Sequence, residues 1–422
     1  MLAGVQNKGQ VFAWAFYDWA NSAFATVVIA GFFPIFFNEF WSIGEETTKT
    51  TFRLGVANSI ASLIVLVMAP VLGAVADQGA LKKRFLLIFA MVGILATAWL
   101  GGIGQGLWLY AAIVYVMATI GFSGANVLYD ALLVDIAPKN KLDAVSGIGF
   151  SLGYLGGGLL FTLCVVMSLK PAWFGLVDTT QAVRVSFFVT AIWWAVFSLP
   201  LWWHVHEKKT ESSNFSAAFF RGIDQLTQTF RNIRKYRPVL IFLVAYWLYI
   251  DGVDTIIKMA VDYGLALGFT SQDLVTALLL VQFVGFPSAL LFGWLGERIG
   301  PKIGIITGLV VYAGITVWAY FITETWEFYG IAVSIGLVQG GVQALSRSLY
   351  ARLIPQDSAA EFFGFYNFLG KFAAVIGPVM MGWVAVATGS SRISILSILI
   401  LFIAGGLILT KVDVSRDNNR SP

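Results

Sequence analysis

Twelve apolar runs, each long enough to cross a membrane, recur along the 422-residue chain. No other feature narrows its fold so far. They lie at roughly 12–38, 54–76, 85–104, 107–133, 145–167, 184–204, 238–261, 274–296, 303–323, 327–349, 362–386 and 393–411. About 20 apolar residues span a bilayer as a helix. In hydrocarbon, every backbone N–H and C=O must be satisfied within the segment, so runs of this kind form helices. Composition agrees: the chain is 58% hydrophobic and 12% charged, where soluble domains carry about 25% charge. The first run is too long for a cleavable signal peptide and ends without a small-residue cleavage pattern. The expected class is an all-α integral membrane protein.

The longest polar break, 205–237, separates the sixth run from the seventh. Within it Phe219, Ile223, Leu226, Phe230 and Ile233 recur at helical spacing, which predicts an amphipathic surface helix. The expected organisation is a six-helix half over 1–204, this linker over 205–237, a second half over 238–411, and a tail over 412–422. Lysine and arginine set the orientation. With the N-terminus inside, 19 of the 27 fall on inside segments, 5 outside and 3 within spans. Both termini are therefore expected in the cytoplasm, and the membrane is expected to be the plasma membrane.

The halves repeat. Gly73-Ala-Val-Ala-Asp77 and Gly293-Trp-Leu-Gly-Glu297 lie 220 residues apart. At an offset of 217, Gly124 matches Gly341, Pro138 matches Pro355, Gly147 matches Gly364 and Gly153 matches Gly370. A looser match at 233 aligns Asp18 and Asn21 with Asp251 and Asp254. Paired halves of this kind are a transporter architecture, with a solute site between them near the midplane.

GxxxD/E followed by basic residues after spans 2 and 8, in a 6+6 chain, resembles the major facilitator superfamily. GWLGERIGPK fits that loop signature well. GAVADQGALKKR places Gly79 one position early, so its loop is expected to turn differently. FYDWANSAFATVVIAGFFPIFF, DGVDTI, GGVQALSRSLYARLIP and EFFGFYN look like one branch, the fungal vacuolar amino-acid effluxers linked to autophagy and their bacterial relatives. The short loops look like a bacterial member, which would place the chain in an inner membrane. The resemblance implies a fold of two pseudo-symmetric six-helix halves. It also implies a gating role for Gly73, Asp77, Gly293 and Glu297, whose acids in that superfamily pair with basic groups and a neighbouring helix end. An amino-acid solute is likewise implied by the fungal members alone.

The residues themselves nominate a site. A carboxylate near mid-membrane costs roughly 2.5–3.5 kcal/mol or more. Asp18 and Asn21 share a helix face in span 1, which should look into the protein; the alternative is that Asp18 reaches the headgroups. The 217-residue match sets Asp130 opposite Arg347 and Tyr154 opposite Lys371. Asp130 and Arg347 are expected to help close the cytoplasmic side, directly or through Asp77 and Glu297, unless each is satisfied within its own half. In span 7, Asp254 and Lys258 make a natural intrahelical pair, which leaves Asp251 less compensated. Lys371 needs a partner, Asp18 or Asp251, or an anionic ligand. Gln339, Gln343, Asn58 and Asn126 offer neutral donors and acceptors. Lys371 with a carboxylate would hold an amino acid, though a structural ion-pair network would use the same residues.

The spans contain no histidine, so a coupling proton would ride on an acid, Asp18 first and Asp251 second. Gly149, Gly153 and Gly157 form a small-xxx-small stripe for close packing, which in many relatives of the superfamily is bent or lies against span 8. The single Cys164 excludes a cysteine cluster or a disulfide framework, and His204 and His206 read as a solvated helix end. No HExxH or Walker-type loop is present, so no enzyme, metal, cofactor or nucleic-acid partner is expected. The expected function is proton-coupled secondary transport of a small polar solute by a monomer. The alternatives are a lipid flippase or scramblase, or an organic-anion carrier, on the same scaffold.

Overall fold

The computed structural model describes residues 1–79, 81–207, 215–372 and 376–413, with side chains throughout except at 47, 48, 215–217, 230, 233, 258, 261, 262, 265, 266, 271, 371, 372 and 391. Among the described residues, eleven helices are long and apolar enough to cross a membrane. Spans 1 to 6 are Lys8–Trp41, Thr47–Gly79, Lys82–Gly102, Trp108–Ile136, Leu142–Leu169 and Thr179–His204. Spans 7 to 10 are Arg237–Ala266, Ser271–Ile299, Pro301–Phe321 and Thr325–Leu353. In span 11 the described helices are Ala359–Phe372 and Ile376–Thr388. Span 12 comprises Ser391–Leu396 and Leu399–Thr410. The amphipathic linker helix runs Phe215–Arg231.

Span 1 is not a uniform α-helix. It is α-helical over Lys8–Ala23 and Phe33–Phe36 but π-wound over Phe24–Phe32 and Phe37–Trp41. Pro34 has no N–H to give the ladder, and wide turns of this kind absorb such a break. The two signature loops also differ. Gly300 turns with φ +87°, open to glycine alone at little cost, whereas Gly79 ends span 2 without a left-handed φ.

Glycines set the closest helix approaches. A Cβ on Gly153 would lie 2.7 Å from Ser22 Oγ and 3.0 Å from Asp18 Oδ1, and one on Gly157 2.7 Å from Thr26 Oγ1. The Gly149–Gly157 stripe therefore packs on span 1, not on span 8. It is Gly147 and Gly158 that meet span 8, at Gly293 and Gln282. A stripe of one period can serve only one neighbour, and span 1, carrying the polar residues, is the neighbour that needs the room.

The end of the bundle that carries both termini is closed; the other is parted on one side. Spans 5 and 8 stay together along their length, from Gly147 against Gly293 to Ser151 Oγ on Phe286 O at 2.8 Å, and on to Phe161 and Cys164 near Val275 and Leu278. Spans 2 and 11 meet near the termini, where Cβ atoms on Gly73 and Gly364 would strike Ala360 and Ala69. Among the described residues, no comparable seam joins the far half of span 2 to Ile376–Thr388. That half of span 2 exposes Phe52, Val56, Ile60 and Leu63.

Candidate functional site

Three layers of polar side chains cross the seam between the halves at the terminal end. The deepest is built on Arg347 of span 10, whose side chain is 2% exposed. Its Nη1 donates to Asp130 Oδ1 at 3.0 Å and lies 3.6 Å from Asp18 Oδ2. Its Nε and Nη2 donate to the Oγ and backbone O of Ser146, at 2.9 and 3.0 Å. The guanidinium lies over Phe150 and Trp14, 4.2 and 4.9 Å from their centroids. Gly149 makes this possible, since a Cβ there would come within 2.9 Å of both Trp14 and Arg347. Asp18 also accepts from Tyr129 O–H at 3.1 Å and from Ser22 at 3.3 Å. Asn367 of span 11 donates to Asp130 Oδ2 at 2.9 Å. Two carboxylates of the first half thus share one cation of the second.

The match of Asp130 to Arg347 in the repeat is a direct contact. Arg347 is a cation beside Asp18; the side chain of Lys371, the expected partner, lies outside the described residues, as does that of Lys258, the expected partner of Asp254. Neither Asp77 nor Glu297 reaches this layer. Tyr129, Ser146 and Asn367 are not among the sequence candidates, and nothing in their spacing marks them; Ser146 matters because Arg347 has five donors to satisfy, and Tyr129 and Asn367 because they donate to the two carboxylates.

The second layer joins spans 5 and 10. Asp143 is fully buried, pairs with Arg352 Nη2 at 2.6 Å and accepts from Ser348. Beside it Lys141 lies 3.2 Å from Glu297. Asp143 reads in sequence as one more acid at a helix start, and only the partner half reveals its role. In the outermost layer Asp77 accepts backbone N–H groups of Ala360 and Glu361, at 3.1 and 2.9 Å. These are orphan donors at the start of span 11, where a helix terminus favours a carboxylate. Lys82 lies 3.3 Å from Asp77 and 3.2 Å from Asp135.

Towards mid-membrane the residues are neutral amides. Asn21 donates to Asn126 between spans 1 and 4. Tyr154 of span 5 donates to Gln343 at 3.0 Å, its ring lodged between spans 8 and 10 where Cβ atoms on Gly285 and Gly340 would each sit 2.8 Å away. Gln339, one turn from Gln343, is buried with its Oε1 unpaired among the described residues. Asn58 accepts from Tyr115 at 3.0 Å on an exposed stretch of span 2. Asp254 lies half-buried on span 7.

Asp251 is not the less compensated acid that its spacing suggests. It is fully buried and accepts backbone N–H groups of Ile376 and Gly377, at 3.1 and 3.0 Å, with Thr255 at 3.3 Å. Its partners are backbone groups of span 11, which spacing within span 7 does not show. Among the described residues, no group of His, Cys, Asp and Glu is placed to hold a metal.

The family model described as "Vacuole effluxer Atg22 like" matches residues 6–421. An uncharacterized MFS-type transporter, YxiO of Bacillus subtilis, is 40% identical over 97% of both chains. Autophagy-related protein 22 of Saccharomyces cerevisiae is 23% identical over 97% of this chain and 92% of its own. Among solved structures, the human organic anion transporter MFSD10 (TETRAN) superposes with a TM-score of 0.70 over 96% of this chain and all of its own, at 14% identity. The proton:xylose symporter XylE gives 0.69 over 96% and 95%, at 13% identity. These two speak to the fold. Twelve helices in two pseudo-symmetric halves, a polar seam between them and a family match over nearly the full length lead to one assignment: the chain belongs to the Atg22-like family of major facilitator superfamily transporters.

Proposed function

We propose that the chain carries a small polar solute, an amino acid or related metabolite, by alternating access of its halves, with Asp18 as proton carrier. One observation supports this above others: Asp18 and Asp130 of one half share the single Arg347 of the other. With both acids ionised, the cluster among the described residues holds one negative charge more than Arg347 balances, where unpaired charge is costly. One proton balances it. Asp18 faces Tyr129 from span 4, Ser22 on its own span, Arg347 from span 10 with Asp130 beyond, and Gly153 of span 5. Neutral Asp18 releases its pull on Arg347, so the seam loses one of two carboxylate ties and parts more readily. Asp77, Glu297, Gly73 and Gly293 act in the same gate, the acids as latches and the glycines as close-packing points. Asn21, Asn126, Gln339 and Gln343, with an acid at Asp254 and a base at Lys371, suit the ammonium and carboxylate of a zwitterion.

The lysine and arginine excess supports an inner-membrane protein with termini, linker and closed seam on the cytoplasmic face. Two halves in one chain suffice as a monomer. The test is uptake of a labelled amino-acid mixture into proteoliposomes under an imposed proton gradient, comparing wild type with Asp18→Asn and Lys371→Met. Uptake that both substitutions abolish is the expected result. Equal uptake by all three overturns the site, and no uptake by wild type overturns the solute.

A further inference from the structure

The linker does more than join the halves. One face of its helix docks on span 2: Ala218 is buried, and a Cβ on Gly222 would lie 2.8 Å from Val75 N. One turn on, Gln225 reaches both halves. It accepts from Gln78, the residue after Asp77. Its Nε2 donates to Ser358 Oγ at 3.0 Å and to Glu361 Oε2, both at the start of span 11. Glu361 is fully buried, and its backbone N–H is one of the two that Asp77 accepts. The Asp77 contact is therefore held from two sides, by Lys82 within the first half and by Gln225 from the linker. Tyr236, past the helix, packs its ring 5.0 Å from Phe362 of the same span 11.

We propose that the linker helix is a strap that latches spans 2 and 11 together at the terminal end, through Gln225 bridging Gln78 to Ser358 and Glu361. A covalent linker alone needs none of these contacts; a free tether is polar and undocked. A buried carboxylate answered by a residue outside both halves is costly to leave unpaired once the strap lifts. The strap therefore biases the transporter toward the conformation seen here and must lift before spans 2 and 11 separate. Motion of the linker would then set how often this end opens.

The test reads conformation rather than transport, so it does not depend on the solute proposed above. In a Cys164→Ala background, Ala69→Cys places a thiol in the span 2/span 11 seam, where Ala69 is fully buried. Maleimide labelling of the purified protein then reports opening. Gln225→Leu is expected to raise the labelling rate about fivefold, which is what roughly 1 kcal/mol does to a two-state equilibrium. Gly222→Leu, which undocks the whole helix, is expected to raise it at least as far. Unchanged labelling in both, with thermal stability retained, overturns the strap. Raised labelling in a protein that moves no amino acid leaves the strap standing and removes the solute assignment instead.

Discussion

At the scale of single residues, Arg347 concentrates the most interactions: four polar contacts and three aromatic faces in a fully buried setting. Breaking a buried ion pair from one side typically costs about 3–5 kcal/mol, because it strands the other charge. Arg347→Met strands two. It is expected to lower the melting temperature in detergent by several degrees, and adding Asp130→Asn should recover part of the loss. A double variant no better than the single one would show that the acids are not what Arg347 compensates. Arg347→Lys should resemble Arg347→Met more than wild type, since a lysine cannot reproduce the fork that serves Asp130 and Ser146 together.

At the scale of elements, the contacts between helices are set by what is missing from glycine. On Gly73 a Cβ would sit 2.0 Å from Ala360 O, which is backbone and cannot swing aside. Gly73→Ala should therefore overpack the seam, with a cost of about 1–3 kcal/mol, and wedge spans 2 and 11 apart. Gly55→Ala on the same span, with nothing within 4 Å of its Cβ, is the neutral control. Equal transport and stability in the two variants would mean that the approach of Gly73 to Ala360 is looser than described. Span 11 obeys a related rule. Each of its helices begins at a carboxylate from another element, Asp77 for the first and Asp251 for the second. Losing a helix cap costs about 0.5–2 kcal/mol, so Asp251→Ala should destabilise the fold at every pH. A proton carrier would instead show itself as a changed pH dependence of transport with stability kept.

At the scale of the whole molecule, the halves are joined unequally. Among the described residues, spans 5 and 8 hold along their length, while spans 2 and 11 hold at the terminal end. A transporter that alternates must break the terminal-end seam, where Lys141 of one half meets Glu297 of the other at 3.2 Å. Replacing that pair with cysteines in the Cys164→Ala background and bridging them with a short reducible cross-linker should stop transport without lowering the melting temperature. Reduction should restore it. Undiminished transport in the bridged protein would show that this end does not open.

The chain by itself determined the bilayer setting, the twelve spans and the two related halves, because lipid demands long apolar helices and a repeat leaves matched residues at a constant offset. It also brought out Asp130 and Arg347, since opposite charges at equivalent places in two pseudo-symmetric halves face each other across the axis. What the tertiary structure decided is which way each helix is rotated and how far it continues. Helical spacing puts Asp18 and Asn21 on one face but cannot say that Arg347 reaches Asp18 from the other half. It shows that the Gly149–Gly157 stripe invites a close neighbour but not that the neighbour is span 1. Asp251 reads as a spare acid until Ile376 and Gly377 of span 11 offer it their N–H groups. Gln225 is one polar residue in a polar linker until that helix docks across both halves. In each case the deciding partner comes from another element of the chain. No periodicity within a segment records it, because it depends on how packed surfaces fit together.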